Sequence, residues 1–230
     1  MSSEYQLFSQ NWSIYRKVVD LNYMHHQEFS RNTKSILESV TGSIRLMDLG
    51  CGDAVELSAL LKNIAVEEYV GCDLSPFALN LAKQNLDFIP RTNLLASPLE
   101  EVVAVHKPGF DVIHSSFAIH HLSDEVKRQV LNNIHRLLRP GGLFILVDIF
   151  RKPSQSRQEY VERYVQMLNT EWMDLEGSEK TAIIEHLTQY DFPSDLEEFL
   201  RFTQESRFSV LSSSLSDEQH KMIVLKKPTD

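Results

Sequence analysis

Cysteine is nearly absent: Cys51 and Cys72 are the only two thiols in 230 residues. Two cysteines exclude a disulfide framework and cannot alone make a zinc site. Both fall at the ends of expected strands, which suits buried thiols in a cytoplasmic protein. No run of about 18 apolar residues occurs, so no membrane-spanning helix is expected. The opening Met1-Ser2-Ser3-Glu4-Tyr5-Gln6-Leu7 lacks the basic region and apolar block of a secretory signal. Base is the scarcer charge, with 23 Lys and Arg against 32 Asp and Glu and a net charge of −9. Phosphate backbones demand clustered base, so no nucleic-acid partner is expected. The acid is also uneven. Between Pro153 and Glu205 four bases face twelve acids, nearly the whole surplus. Solvated helix faces explain this, as does a field favouring a cationic or neutral substrate over an anionic one.

Glycine and proline number eight each, so their positions carry information. Leu46-Met47-Asp48-Leu49 runs straight into Gly50-Cys51-Gly52-Asp53, and Tyr69-Val70-Gly71-Cys72 ends in Asp73. A buried strand, a glycine turn, a helix and an acid ending the next strand make a nucleotide pocket. Glycine lets backbone approach a ligand that a Cβ would meet. Asp73 lies 23 residues beyond Gly50, close to the offset of about 20 at which a carboxylate grips ribose hydroxyls. Val55 stands where a dinucleotide fingerprint carries its third small residue, which disfavours NAD.

Strands are expected at Ile44–Leu49, Tyr69–Cys72, Thr92–Ala96, Phe110–Ser115 and Leu143–Ile149, and helices at Ala54–Asn63, Pro76–Asp87 and Asp124–Leu138. Ser75 before Pro76 is a strong helix start, and Arg139-Pro140-Gly141-Gly142 a strong stop. This alternation implies a mostly parallel sheet covered on both faces. Residues from about Asn11 to Val40 read as two helices, and Ser154 to about Thr203 as three, with a break at Asp191-Phe192-Pro193-Ser194. Arg207–Ser213 and His220–Lys226, joined through Ser216-Asp217-Glu218, suggest an antiparallel hairpin.

The four segments Asp48–Ala54, Gly71–Ser75, Phe110–Leu122 and Leu138–Phe144, in this order and spacing, resemble the class I S-adenosylmethionine-dependent methyltransferases. The resemblance covers about Ile44 to Ile149. It implies an α/β fold: a three-layer Rossmann-like, seven-stranded, mostly parallel sheet with an antiparallel last strand. The expected organisation is a helical arm (1–43), a cofactor-binding core (44–150), a helical lid insert (151–206) and C-terminal strands completing the sheet (207–230). The resemblance implies S-adenosylmethionine as cofactor, held around Asp48. Gly50 and Gly52 would pass under its methionine part, Asp73 would take both ribose hydroxyls, and Leu74 would lie against adenine. Backbone near Ser116 and Phe117 would line the sulfonium side. Two departures stand out. Ala54 replaces a frequent third glycine, and the Asp that often meets the adenine amine gives way to Ser97-Pro98, where the Ser97 hydroxyl would accept instead.

Outside the shared motifs, aromatics near a sulfonium can add cation–π stabilisation. Tyr15 on the arm is a candidate to line the cofactor, and Tyr23 and Trp172 are candidates for the acceptor. His121 is the candidate general base, since a free imidazole titrates near pH 6.5; its bland alternative is a structural histidine. His25 and His26 read as ordinary helix residues, Arg151 as surface, and no metal site is expected. Together these features point to methylation of a small-molecule nitrogen or oxygen nucleophile, with the acidic insert leaning towards an amine. The alternatives are tRNA or protein as acceptor, cyclisation of the cofactor, and a binding module without turnover. Oligomeric state is not legible.

Overall fold

The computed structural model describes residues 12–215 and 218–229. Residues 1–11, which include the expected start of the arm, and Ser216-Asp217 of the hairpin link lie outside the described residues. Seven strands form one sheet in the order β3-β2-β1-β4-β5-β7-β6. They are β1 (Ile44–Leu49), β2 (Val66–Asp73), β3 (Thr92–Ala96), β4 (Phe110–Ser116), β5 (Leu138–Ile149), β6 (Ser209–Leu215) and β7 (His220–Lys226). All neighbours pair parallel except β7, which is antiparallel to both β5 and β6.

Along each strand, successive side chains point to opposite faces. On β5, Phe144 and Leu146 join one core, while Ile145 and Val147 join the other. The first core is covered by α1 (Trp12–Asp20), α2 (His26–Ser39), α3 (Val55–Leu61), α7 (Arg157–Thr170) and α8 (Gly177–Tyr190). The second lies under α5 (Leu99–Val105), α6 (Asp124–Leu137) and α9 (Leu196–Glu205). The remaining helix, α4, spans Pro76–Asn85. Ser75 caps α4 by accepting from Ala78 N at 3.2 Å, with Pro76 in the first turn.

Four features differ from expectation. The helix α5 had no strong start signal and escapes a sequence reading. β5 begins at Leu138, because α6 ends at Leu137; the Pro-Gly-Gly stretch lies inside the strand as an irregularity, with Gly141 at φ +79° and a shift in the register against β4. β2 starts at Val66, so charged Glu67 and Glu68 belong to its outer end. Finally, α9, the third helix of the expected 151–206 insert, packs on the opposite face of the sheet from α7 and α8. Phe199 and Phe202 are buried in the core shared with α6, and the Arg128 guanidinium sits 4.1 Å above the Phe202 ring. Of the three insert helices, α7 and α8 share the arm's side of the sheet.

The topological switch lies at β1, whose neighbours β2 and β4 lead to opposite halves of the sheet. Ligands of open α/β sheets bind outside the carboxyl ends of the strands at such a point.

Candidate active site

The turn after β1 is tied to the next strand by two bonds, since Gly50 N and Cys51 N each donate to the Cys72 carbonyl at 2.9 Å. Gly50 has φ +74° and Gly52 φ +53°, the left-handed region where a Cβ is costly. Space is equally restrictive. A Cβ on Gly50 would stand 2.4 Å from Ala118 Cβ, and one on Gly52 would stand 2.8 Å from the Trp12 ring. Ala54 is also left-handed, with φ +53°, so the residue expected simply to start a helix holds a glycine-like conformation. Asp73 accepts from Gly52 N at 2.9 Å and from Ser75 N at 2.8 Å. Burial foremost, against those two N–H donors, raises its pKa above the ordinary carboxylate value, and the Asp48 charge adds to the rise. Asp48 itself accepts from the Tyr69 hydroxyl at 2.7 Å and meets His114 Nδ1 at 2.8 Å.

These residues border a cavity of about 460 Å³, within the usual range for small-molecule sites. Asp48, Gly50, Gly52, Asp73, Leu74, Pro98, Ser116, Phe117 and Tyr15 all line it. Ser97 does not; Pro98, Leu99 and Glu100, from the start of α5, form that wall. Phe117 is left-handed at φ +52° and buried. Such a conformation in a bulky residue persists only where its surroundings hold it, and it clusters at functional sites.

At the far end, His121 and Trp172 line the cavity and Tyr23 does not. Its ring stacks on Trp172 at 4.8 Å, and its hydroxyl donates to Asp174 at 2.7 Å, so Tyr23 buttresses the wall from outside. His26 also lines the cavity, buried against Glu56. Arg151 points away and donates to the Pro193 carbonyl at 2.7 Å. Val18, Tyr164, Ile183 and Leu187 make the rest of this end apolar.

Three residues escaped the sequence reading. Asp148 on β5 accepts from His120 N at 3.0 Å and lies 2.5 Å from His120 Nδ1. Asp191 follows α8 in the stretch expected only as a break. There Phe192 N donates to the His120 carbonyl at 2.8 Å, fastening this segment to the 3-10 turn Ile119–His121. His186, also on α8, reaches the same place from the insert side. Burial opposes the charge on Asp191, yet the surrounding His120, His121 and His186 hold its pKa below the ordinary value. Burial foremost, with His121 beside it, lowers His186 to about 4. A carboxylate after an amphipathic helix was the available signal, but pairing it with His120 and His121 required the tertiary fold. Of the twelve insert acids, only Asp191 is buried.

Residues 47–144 match the methyltransferase domain family. An uncharacterised methyltransferase of Synechocystis is 34% identical over 107 residues, 46% of this chain and 48% of the relative. The chain spans about half the length of the curated relatives it matches. Among solved structures, a chain assigned as a methyltransferase, in complex with a methyltransferase activator of Haloferax volcanii, superposes with a TM-score of 0.69. It is 16% identical and covers 99% of both chains. The YcgJ protein of Bacillus subtilis superposes with a TM-score of 0.64 at 14% identity, covering 88% of this chain and 99% of its own. At these identities the two structures speak for the fold alone.

Proposed function

We propose that the chain, whose residues 47–144 match the methyltransferase domain family, is a class I S-adenosylmethionine-dependent methyltransferase and that it methylates a nitrogen or oxygen nucleophile of a small, largely apolar molecule. The cofactor supplies a methyl group on a sulfonium, which departs as a neutral thioether. The residues fit that group. Asp73 offers carboxylate lone pairs beyond those its two N–H partners occupy, enough to accept from a diol. Gly50 and Gly52 leave backbone where side chains would intrude. Tyr15 and Trp12 line the cavity, and aromatic rings there suit a cation.

The observation that carries the acceptor class is the continuity of one cavity. It runs from the glycine turn to an apolar end under α1, α2, α7 and α8, closed by Trp172, Tyr164 and Leu187. Excluding water there desolvates the nucleophile, and a fixed pose aligns an in-line displacement. His121, about a fifth exposed and facing the cavity, is placed to receive an acceptor proton. With the insert acids solvated at the surface, the lean towards an amine rests on Asp191 alone.

Incubating the protein with S-adenosylmethionine and a panel of small apolar amines, phenols and carboxylic acids should yield a methylated product and S-adenosylhomocysteine by mass spectrometry. Methylthioadenosine as the product would instead indicate cyclisation, and methylation seen only with tRNA or protein acceptors would overturn the acceptor class. A second proposal follows from the likeness to the activator-bound Haloferax chain: a partner protein supports the activity. Turnover unchanged by an added activator protein would dismiss it.

A further inference from the structure

His120, His121 and Asp191 each offer a ligand atom, and these atoms lie within 4.8 Å of one another on the wall of the cavity. Asp191 Oδ1 is buried and has no hydrogen-bond partner among the described residues. Around it stand His121 Nδ1 at 3.4 Å, His120 Nε2 at 3.6 Å and His186 Nε2 at 3.6 Å. Those separations are too long for good hydrogen bonds. They suit a shared ion: two ligands each about 2.1 Å from a tetrahedral metal stand about 3.4 Å apart.

The hydrogen bonds behind the cluster agree. Asp148 accepts from His120 N and Ile149 N, so it is an anionic acceptor and His120 Nδ1 donates to it. His120 Nε2 lies 3.6 Å from Asp191 Oδ1, too far for a good hydrogen bond. Against its burial, Asp148 and Asp191 raise the His120 pKa, so a proton on Nε2 answers the carboxylate when no ion is bound, and a cation would take that proton's place. A carboxylate on the second ring nitrogen is also the usual means of orienting a metal-bound imidazole. A His121 ring that donates from Nδ1 to the Tyr190 carbonyl, 3.2 Å away, offers Nε2 to the ion, and a ring protonated at Nε2 offers Nδ1.

We propose that His120, His121 and Asp191 bind one divalent transition-metal ion, with His186 completing or flanking the set. Two imidazoles and a carboxylate suit zinc, iron, manganese or cobalt, and do not suit calcium. The ion would leave coordination positions open towards the cavity. It would bind an acceptor through a hydroxyl, carboxylate or thiol and favour the deprotonated form of that group, so that with the ion bound it, and not His121 as a base, would promote loss of the acceptor proton. What the ion does rests on taking this end of the cavity as the acceptor side; whether it binds does not.

The test uses the full chain stripped with a chelator and titrated with Co²⁺ and, separately, Zn²⁺, without cofactor or acceptor. One equivalent of Co²⁺ should bind with visible d–d absorption, and calorimetry should give one Zn²⁺ per chain. His121→Ala, at a partly exposed position, and Asp191→Asn should each weaken binding at least tenfold. His106→Ala, outside the cluster, should leave it unchanged. Circular dichroism checks folding, and if Asp191→Asn is unfolded, His121→Ala decides. Absence of d–d absorption, or equal affinity in His121→Ala and wild type, overturns the metal site. Because no methyl transfer is measured, a failed acceptor screen and a failed metal titration are distinguishable.

Discussion

Asp73 shows what a single side chain contributes and how it is tested. The ribose-binding role proposed for it needs an ionised carboxylate, and burial raises its pKa. Protonation therefore begins at a higher pH than for an exposed aspartate, so cofactor affinity should fall as pH falls through that raised value. Calorimetry across a mildly acidic series should show this slope in wild type. Asp73→Asn should bind more weakly and flatten the slope, and an unchanged slope would reject Asp73 as the titrating acceptor. Gly50 is tested sterically. Gly50→Ala adds left-handed strain and a clash with Ala118, so denaturant unfolding should show a loss of about 2–4 kcal/mol. Adding Ala118→Gly should return part of it, because the overlapping atom is gone. The positions of Gly50, Gly52 and Asp73 were legible because local backbone geometry demands those residue types. The place of Ser97 was not, since one residue of phase along the β3–α5 connection moves a side chain out of the cavity.

At the scale of elements, β1 and β2 are joined beneath the glycine turn by a polar bridge inside the sheet. The fully buried Tyr69 hydroxyl donates to Asp48, which also meets His114 on β4. Tyr69→Phe removes a donor to a buried carboxylate and should cost about 1–3 kcal/mol in thermal or urea unfolding. A loss below about 0.5 kcal/mol would mean that Asp48 recruits another donor. The strands were legible as apolar runs, and α4 and α6 as capped periodic segments. The short α5 was not, since Pro98 opens it without a side-chain cap bond. The insert was legible as three helices but not as two groups. Its third helix differs by a strongly one-sided apolar stripe of Leu196, Phe199, Leu200 and Phe202, which needs the second core to receive it.

Across the whole molecule, the core sheet and its covering layers divide the work. The carboxyl ends of β1, β2 and β4 present the donor side of the cavity, while the arm, α7 and α8 supply the opposite wall. The sheet carries the four short segments that resemble the methyltransferases, so its fold could be expected from them. The acceptor end could not, because His120, His186 and Asp191 are brought together by a turn, a helix and the segment after it, with no motif linking them. The uneven charge of residues 153–205 also changes meaning at this scale. Its acids are mainly solvated, and one buried carboxylate, Asp191, lines the cavity.

The chain has only two tryptophans, and both line the cavity, Trp12 against Gly52 and Trp172 among the apolar residues at the other end. The molecule therefore carries an optical reporter at each end of its own reaction path. With Trp172→Phe, emission from Trp12 should respond to the cofactor; with Trp12→Phe, Trp172 should respond to the acceptor. Mixing the two ligands in either order in a stopped-flow fluorimeter would then read the order of binding directly, without label or turnover. Two variants that both respond only to the cofactor would place the acceptor elsewhere.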